Sequence, residues 1–251
     1  MNCLNVLKKS VIDSQLYVSL MGTFFAVFFM IEQNTFRFPS VLLIFITYFS
    51  GYLYTKYQNT KYFHKILLLN IVTGIISAAL IIFNHNEIRL VKWFVIVVLG
   101  LLYNSFFLET YIRKIPLLKV FYVGLVWALV NCWLTLPTFN FPIFFISFFF
   151  VTALVLPFDI RDMESDTVQT FPKLIGVQNT KYLAYIFVFV SAILSVFYFK
   201  VQFAISFFFT SIITFILIYF SESKRDDVYY SFGVETCSVL PFLFFIIMEY
   251  F

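Results

Sequence analysis

Charge is what this chain has least of. Asp, Glu, Lys and Arg make up 12% of its 251 residues, where a soluble domain carries about a quarter. That shortage excludes a water-facing globule, because there is too little polar side chain to cover one. Cysteine is scarce as well. Cys3, Cys132 and Cys237 stand far apart, which excludes a metal-binding or redox cysteine pattern. Acids are missing over one long stretch, with no Asp or Glu between Glu32 and Glu87. The N-terminus carries Lys8 and Lys9 but no clean small-residue cleavage site, so a retained first helix is expected rather than a signal peptide.

What is present is apolar. Hydrophobic residues make up 62% of the chain, with 38 phenylalanines. The phenylalanines accompany many Ile, Tyr, Lys and Asn residues and are read as codon bias. Apolar runs bounded by polar clusters fall near Leu16–Ile31, Pro39–Tyr54, Ile66–Phe83, Val91–Leu108, Leu117–Leu136, Phe141–Phe158, Tyr182–Phe199, Phe203–Phe220 and Tyr229–Tyr250. They predict an all-α, multi-pass integral membrane protein with nine transmembrane helices. Helices are required because a bilayer offers no water to free backbone groups. The runs are continuous, not alternating, and too long for barrel strands of about ten residues. No linker or repeat divides the chain, so residues 1–251 are read as one membrane domain.

The basic residues test this map. Nine crossings put thirteen of the seventeen Lys and Arg residues on the N-terminal side, and leave Arg37, Arg89, Lys92 and Lys200 on the other. By the positive-inside rule the N-terminus is cytoplasmic and the C-terminus lies on the far side. The expected location is a membrane, of the bacterial cytoplasmic kind.

The acids concentrate in one place. Asp159-Ile-Arg161-Asp162-Met-Glu164-Ser-Asp166 puts four of the thirteen carboxylates into eight residues, between the sixth and seventh predicted helices. On a continuous helix, Asp159, Asp162 and Asp166 would share a face at i, i+3 and i+7. Like charges so placed call for a cation over them, most simply a divalent metal. The plainer reading is a solvated loop whose acids pair with Arg161 and Lys173.

This stretch, continued by Gln169-Thr170-Phe-Pro172-Lys173-Leu-Ile-Gly176, resembles the second signature of the UbiA superfamily of intramembrane prenyltransferases. That signature reads D-x-R-D-x-x-x-D followed by T-x-P-x-x-x-G. Tyr103-Asn104, then Arg113-Lys-Ile-Pro116-Leu-Leu-Lys119, is a looser likeness to the family's basic loop before helix five. The resemblance implies a UbiA-like bundle with a central cavity on the cytoplasmic side. It implies transfer of an isoprenyl group from a prenyl diphosphate to a lipophilic acceptor, an aromatic or quinone precursor, with Mg2+. Asp159, Asp162 and Asp166 would then be the catalytic, metal-holding acids. Arg161, Lys173, Arg113, Lys119 and Lys56 would contact diphosphate. Nucleic acid is not an expected partner.

One departure bears on catalysis. The family's first acidic motif, N-x-x-x-D-x-x-x-D after helix two, has no counterpart in the acid-free stretch from Ser50 to Asn59. Lys56, Lys61, His64 and Lys65 stand there instead. Lysines grip an anion as point charges but do not reproduce a two-metal clamp. The second reading is therefore an inactive family member that binds a prenyl lipid or a partner protein. A small transporter fits less well, since the acids lie at one loop and not at the midplane. Glu235, Asn104 and Glu109 are possible accessory residues: Glu235 lies within an apolar run, where a carboxylate is costly, Asn104 belongs to the looser likeness, and either acid could stand in for the missing motif. Asn70 and Asn131 read as interhelical hydrogen-bond partners, and Trp93, Trp127 and Trp133 as packing or interface anchors.

Overall fold

A computed structural model describes residues 15–104, 115–166 and 168–250. The described residues form nine α-helices, two π-helical segments and no strand. The helices are α1 (Leu16–Glu32), α2 (Phe38–Tyr57), α3 (Phe63–Phe83), α4 (Glu87–Asn104), α5 (Leu118–Leu129), α6 (Phe141–Arg161), α7 (Phe171–Tyr198), α8 (Val201–Tyr219) and α9 (Leu240–Tyr250). The π-segments are Val130–Leu134, which prolongs α5, and Tyr229–Val234, which precedes α9.

Five helices, α2, α3, α6, α7 and α8, are long and apolar enough to cross a membrane. α1, α5 with its π-segment, and α9 are shorter apolar helices. α4 begins with Glu87 and Arg89, ahead of the apolar run, and carries Lys92 just inside it. Those charges are used: Arg89 donates to Ser40 Oγ at 2.6 Å, and the buried Lys92 donates to the carbonyls of Leu136 and Pro137, each at 3.0 Å. Lys92 thereby pairs carbonyls of the turn that follows the π-segment of α5.

Consecutive helices pack on one another, and α9 returns to α1. The main core is rich in phenylalanine. Phe28 of α1 meets Phe203 of α8 at 5.3 Å between ring centroids, and Phe150 of α6 meets Phe207 at 5.1 Å. α5 and α6 approach closely at Gly124. A Cβ there would overlap Thr152 Oγ1 and lie 3.1 Å from the Phe148 carbonyl oxygen. The threonine can rotate, but the carbonyl belongs to a helix backbone. Gly124→Ala is expected to destabilise the protein by about 1–3 kcal/mol, seen as a lower melting temperature in detergent.

α6 ends at Arg161, and Asp162 caps it, its N–H bonded to the Phe158 carbonyl. The turn that follows carries Ser165 and Asp166 back to the Asp162 carbonyl. Asp159, Asp162 and Asp166 are therefore not on one continuous helical face.

Candidate active site

Two openings meet at one end of the bundle. The larger is a cavity of about 570 Å3 walled by α2, α3, α4 and α5. The smaller, about 10 Å3, lies among Ile115, Leu117, Lys119, Asp159, Asp166, Val168, Gln169 and Thr170. Lys119, in the first turn of α5, lines both.

The acidic stretch divides between two networks. Asp159 is 1% exposed, and its Oδ1 lies 3.1 Å from Lys119 Nζ. That is an ion-pair distance without the alignment of a hydrogen bond. Lys119 also donates to Asp166 Oδ2 at 3.2 Å. One ammonium thus sits between the two carboxylates at the place a bound cation would take. Asp162 belongs elsewhere. It accepts from Arg161 Nε at 2.7 Å and from Arg161 Nη2 at 2.9 Å, the paired geometry of a guanidinium on a carboxylate. The Arg161 guanidinium lies over the rings of Phe158 and Tyr230, 5.1 and 5.7 Å from their centroids, with Asp227 at 3.9 Å. Glu164 is exposed. Among the described residues, no group of three or more His, Cys, Asp or Glu side chains is close enough to hold a metal ion.

The remaining predicted residues fall in three places. Lys56 lines the large cavity near the end of α2. Lys173 is exposed and donates to the Asp166 backbone carbonyl. Glu235 follows the second π-segment, within electrostatic range of Arg161 and Lys56. The charges acting on Asp159 are those of Lys119, Asp166 and Asp162, so Glu235 belongs with Arg161 and not with the Lys119 pair. Asn104 is the last residue of α4. Arg113 and Glu109 lie outside the described residues.

The resemblance implies a cavity, but the residues that wall it were not apparent from the sequence. Its walls include Tyr48 and Tyr52 on α2, Trp93 and Tyr103 on α4, and Tyr122 and Trp127 on α5. Trp127 packs on Tyr48 at 4.8 Å between centroids and donates to Tyr52 Oη at 3.0 Å. Trp93 donates to Thr47 Oγ1 at 3.0 Å. Two tryptophans read as packing or interface anchors thus face the cavity. The available signal is a stripe. Thr47, Ser50, Gly51, Tyr54 and Thr55 recur at i, i+3, i+4, i+7 and i+8 along α2, marking one face as more polar than its surroundings.

No protein-family model matches this sequence, and no curated protein matches it. Its backbone does match solved structures. A UbiA homolog from Archaeoglobus fulgidus bound to GPP and Mg2+ superposes with a TM-score of 0.66, covering 97% of this chain and 99% of that one at 12% identity. The chain has the UbiA fold. The same homolog bound to DMAPP and Mg2+ gives a TM-score of 0.66 at 12% identity, over 96% and 98% of the two chains. A digeranylgeranylglyceryl phosphate synthase gives 0.56 at 16% identity, over 97% and 93%. The UbiA fold thus extends over nearly the whole chain, including the four helices that wall the cavity.

The Mg2+ of these neighbours sets a test for the donors present here. Mg2+ binds through one or two carboxylates together with substrate phosphates, more often than in an all-protein cage. Asp159 and Asp166 converge on one point, and the buried Thr170 hydroxyl beside them has no hydrogen-bond partner among the described residues. The Lys119 ammonium holds that point, so these donors fit one ion carried in by a diphosphate only if it takes the place of the ammonium. Among the described residues no third His, Cys, Asp or Glu side chain joins the pair to complete a metal-holding group.

Proposed function

We propose that the protein is an intramembrane prenyltransferase, moving an isoprenyl group from a prenyl diphosphate to a lipophilic acceptor. The observation that carries this reading is the junction at Lys119, where an acidic pocket opens beside a large aromatic cavity in a UbiA fold. On this reading the chain crosses the bilayer nine times, and the cavity opens toward a cytoplasmic N-terminal side. The distribution of Lys and Arg along the sequence supports that orientation.

The reaction breaks the allylic C–O bond, and the diphosphate leaves with the bonding electrons. The acceptor then forms the new bond to the allylic carbon and loses a proton. Lys119 and Lys56, both at the cavity mouth, hold the diphosphate oxygens as point charges. Asp159 and Asp166 would hold Mg2+, which supplies positive charge to the departing diphosphate. Asp162 fixes the Arg161 guanidinium, which faces the same end of the bundle. Tyr48, Tyr52 and Trp127 present ring faces that stabilise the allylic cation and keep water from it.

The acid-free stretch favours a second reading, in which the same site binds prenyl diphosphate without turnover. One assay separates the two. Purified protein receives radiolabelled prenyl diphosphates, Mg2+ and a panel of aromatic acceptors. The transferase reading expects a prenylated product that disappears, falling at least about a hundredfold, in Asp159→Asn. Diphosphate binding with no product across the panel establishes the binding protein instead.

A further inference from the structure

Two partners compete for Lys119. In the structure its ammonium lies 3.1 Å from Asp159 Oδ1 and 3.2 Å from Asp166 Oδ2. A divalent ion held by both carboxylates would need that same point. Mg2+ meets its oxygen ligands at about 2.0–2.1 Å, which leaves no room for an ammonium between the same two groups. The prenyl-transfer reading also asks Lys119 to hold diphosphate in the large cavity. The charges agree with an exchange. Asp159 and Asp166 carry two negative charges, and Lys119 cancels one of them. With the ammonium withdrawn, the two carboxylates match one divalent ion.

The surroundings fix the carboxylates and leave the lysine free to turn. Asp159 lies on α6 with its side chain 2% exposed, whereas that of Lys119 is 24% exposed. The Asp166 N–H is bonded to the Asp162 carbonyl at 2.9 Å, and the Leu117 N–H ties the start of α5 to the Gln169 carbonyl at 3.3 Å. The nearby basic residues are engaged elsewhere, Arg161 with the Asp162 carboxylate and Lys173 with the Asp166 backbone carbonyl. Lys119 lines both openings, and Tyr103 on the wall of the large cavity is within its electrostatic range. A lysine carries its charge on a flexible four-carbon stem, so a side-chain rotation serves. Among the described residues, the charged side chains lining the large cavity are Lys56 and Lys119, with no acid. An anion there meets cations alone.

We propose that Lys119 is an exchangeable internal cation, holding the position between Asp159 and Asp166 in the free protein and turning to the diphosphate in the large cavity when a divalent ion takes that position. The consequence is obligatory coupling. While the ammonium holds the position for more than about nine-tenths of the time, the apparent metal affinity is reduced at least about tenfold. Diphosphate in the large cavity gives the ammonium a second partner and relieves that competition, so metal and diphosphate each tighten the binding of the other. The inference rests on the reading of this site as a metal-diphosphate site and assigns Lys119 its two places there.

The test is equilibrium dialysis of radioactive Mn2+ against the full-length protein in detergent, without and with geranyl diphosphate. The unaltered protein is expected to take up Mn2+ alone weakly, and Lys119→Met at least about tenfold more tightly. Lys119→Arg keeps a cation on the pair and stays weak. The double variant Lys119→Met, Asp159→Asn loses the gain, because a ligand has gone. Mn2+ alone should also raise the melting temperature of Lys119→Met and not that of the unaltered protein. Equal Mn2+ affinity in the unaltered protein and a folded Lys119→Met overturns the exchange. So does labelled geranyl diphosphate that binds the unaltered protein equally well with and without Mn2+, a result that needs no variant to fold. If geranyl diphosphate binds under neither condition, the prenyl-transfer reading fails, and the comparison with Mn2+ alone still decides whether the ammonium excludes the metal.

Discussion

Lys119→Met is expected to abolish prenyl diphosphate binding and to lower the melting temperature, while the double variant Lys119→Met, Asp159→Asn regains the stability and not the binding. The reason lies in what each partner leaves behind. Asp159 is almost fully buried, and Lys119 at 3.1 Å is the cation beside it. Removing the lysine alone strands that carboxylate. Breaking a buried pair costs about 3–5 kcal/mol, and the partial exposure of Lys119 brings the expected value to about 2–3 kcal/mol. Neutralising Asp159 as well removes the stranded charge, so the unfolding temperature recovers. The diphosphate has still lost a cation at the junction of the two openings, and transfer falls at least about a hundredfold. Thermal melts and a prenyl-diphosphate titration on the three variants decide it. Equal stability of the single and double variants would show that the pair is electrostatically idle.

Gly51→Leu is expected to have the opposite profile, with transfer reduced at least about a hundredfold and stability unchanged or slightly raised. The Cβ position at Gly51 meets no atom within 4 Å, and the residue lines the cavity in the middle of α2. A leucine there improves helix propensity by about 0.5–1 kcal/mol and places its branched end in the space the substrates need. Product formation and melting temperature, measured on one preparation, give the two readouts. Full activity in a folded Gly51→Leu removes the large cavity from the reaction path.

Much of the helical framework was legible because lipid permits few alternatives. The runs Ile66–Phe83 and Phe141–Phe158 became α3 and α6 with ends shifted by three residues. The larger shifts have a cause. α4 begins at Glu87, four residues before its apolar run, because Arg89 and Lys92 are satisfied by partners that hydropathy does not register. α7 begins at Phe171, well before Tyr182, because its polar first turns are helical outside the apolar stretch. The acidic stretch was equally visible in sequence, but its division was not. Spacing put Asp162 with Asp159 and Asp166, whereas the end of α6 at Arg161 turns it to the arginine. Lys119 came only from a loose likeness in a basic loop, and no periodicity joins it to residues forty positions away. The lining of the cavity was hidden because its wall is polar only by contrast. Asn70 could be read as an interhelical partner, and only the fold reveals that its oxygen meets none.

Gly176 adds a mechanical consequence. It is the one described glycine with positive φ, at φ 81 and ψ 160, and it breaks the run of helical angles within α7. The chain changes direction there while Asn179 and Thr180 bond the carbonyls of Ile175 and Gly176 at 2.8 and 2.9 Å. The short segment bearing Pro172 and Lys173 therefore runs in its own direction, set apart from the lipid-facing length of α7 by one glycine. Residues 168–170, which wall the acidic pocket, enter α7 through that segment and not along the axis of the long helix.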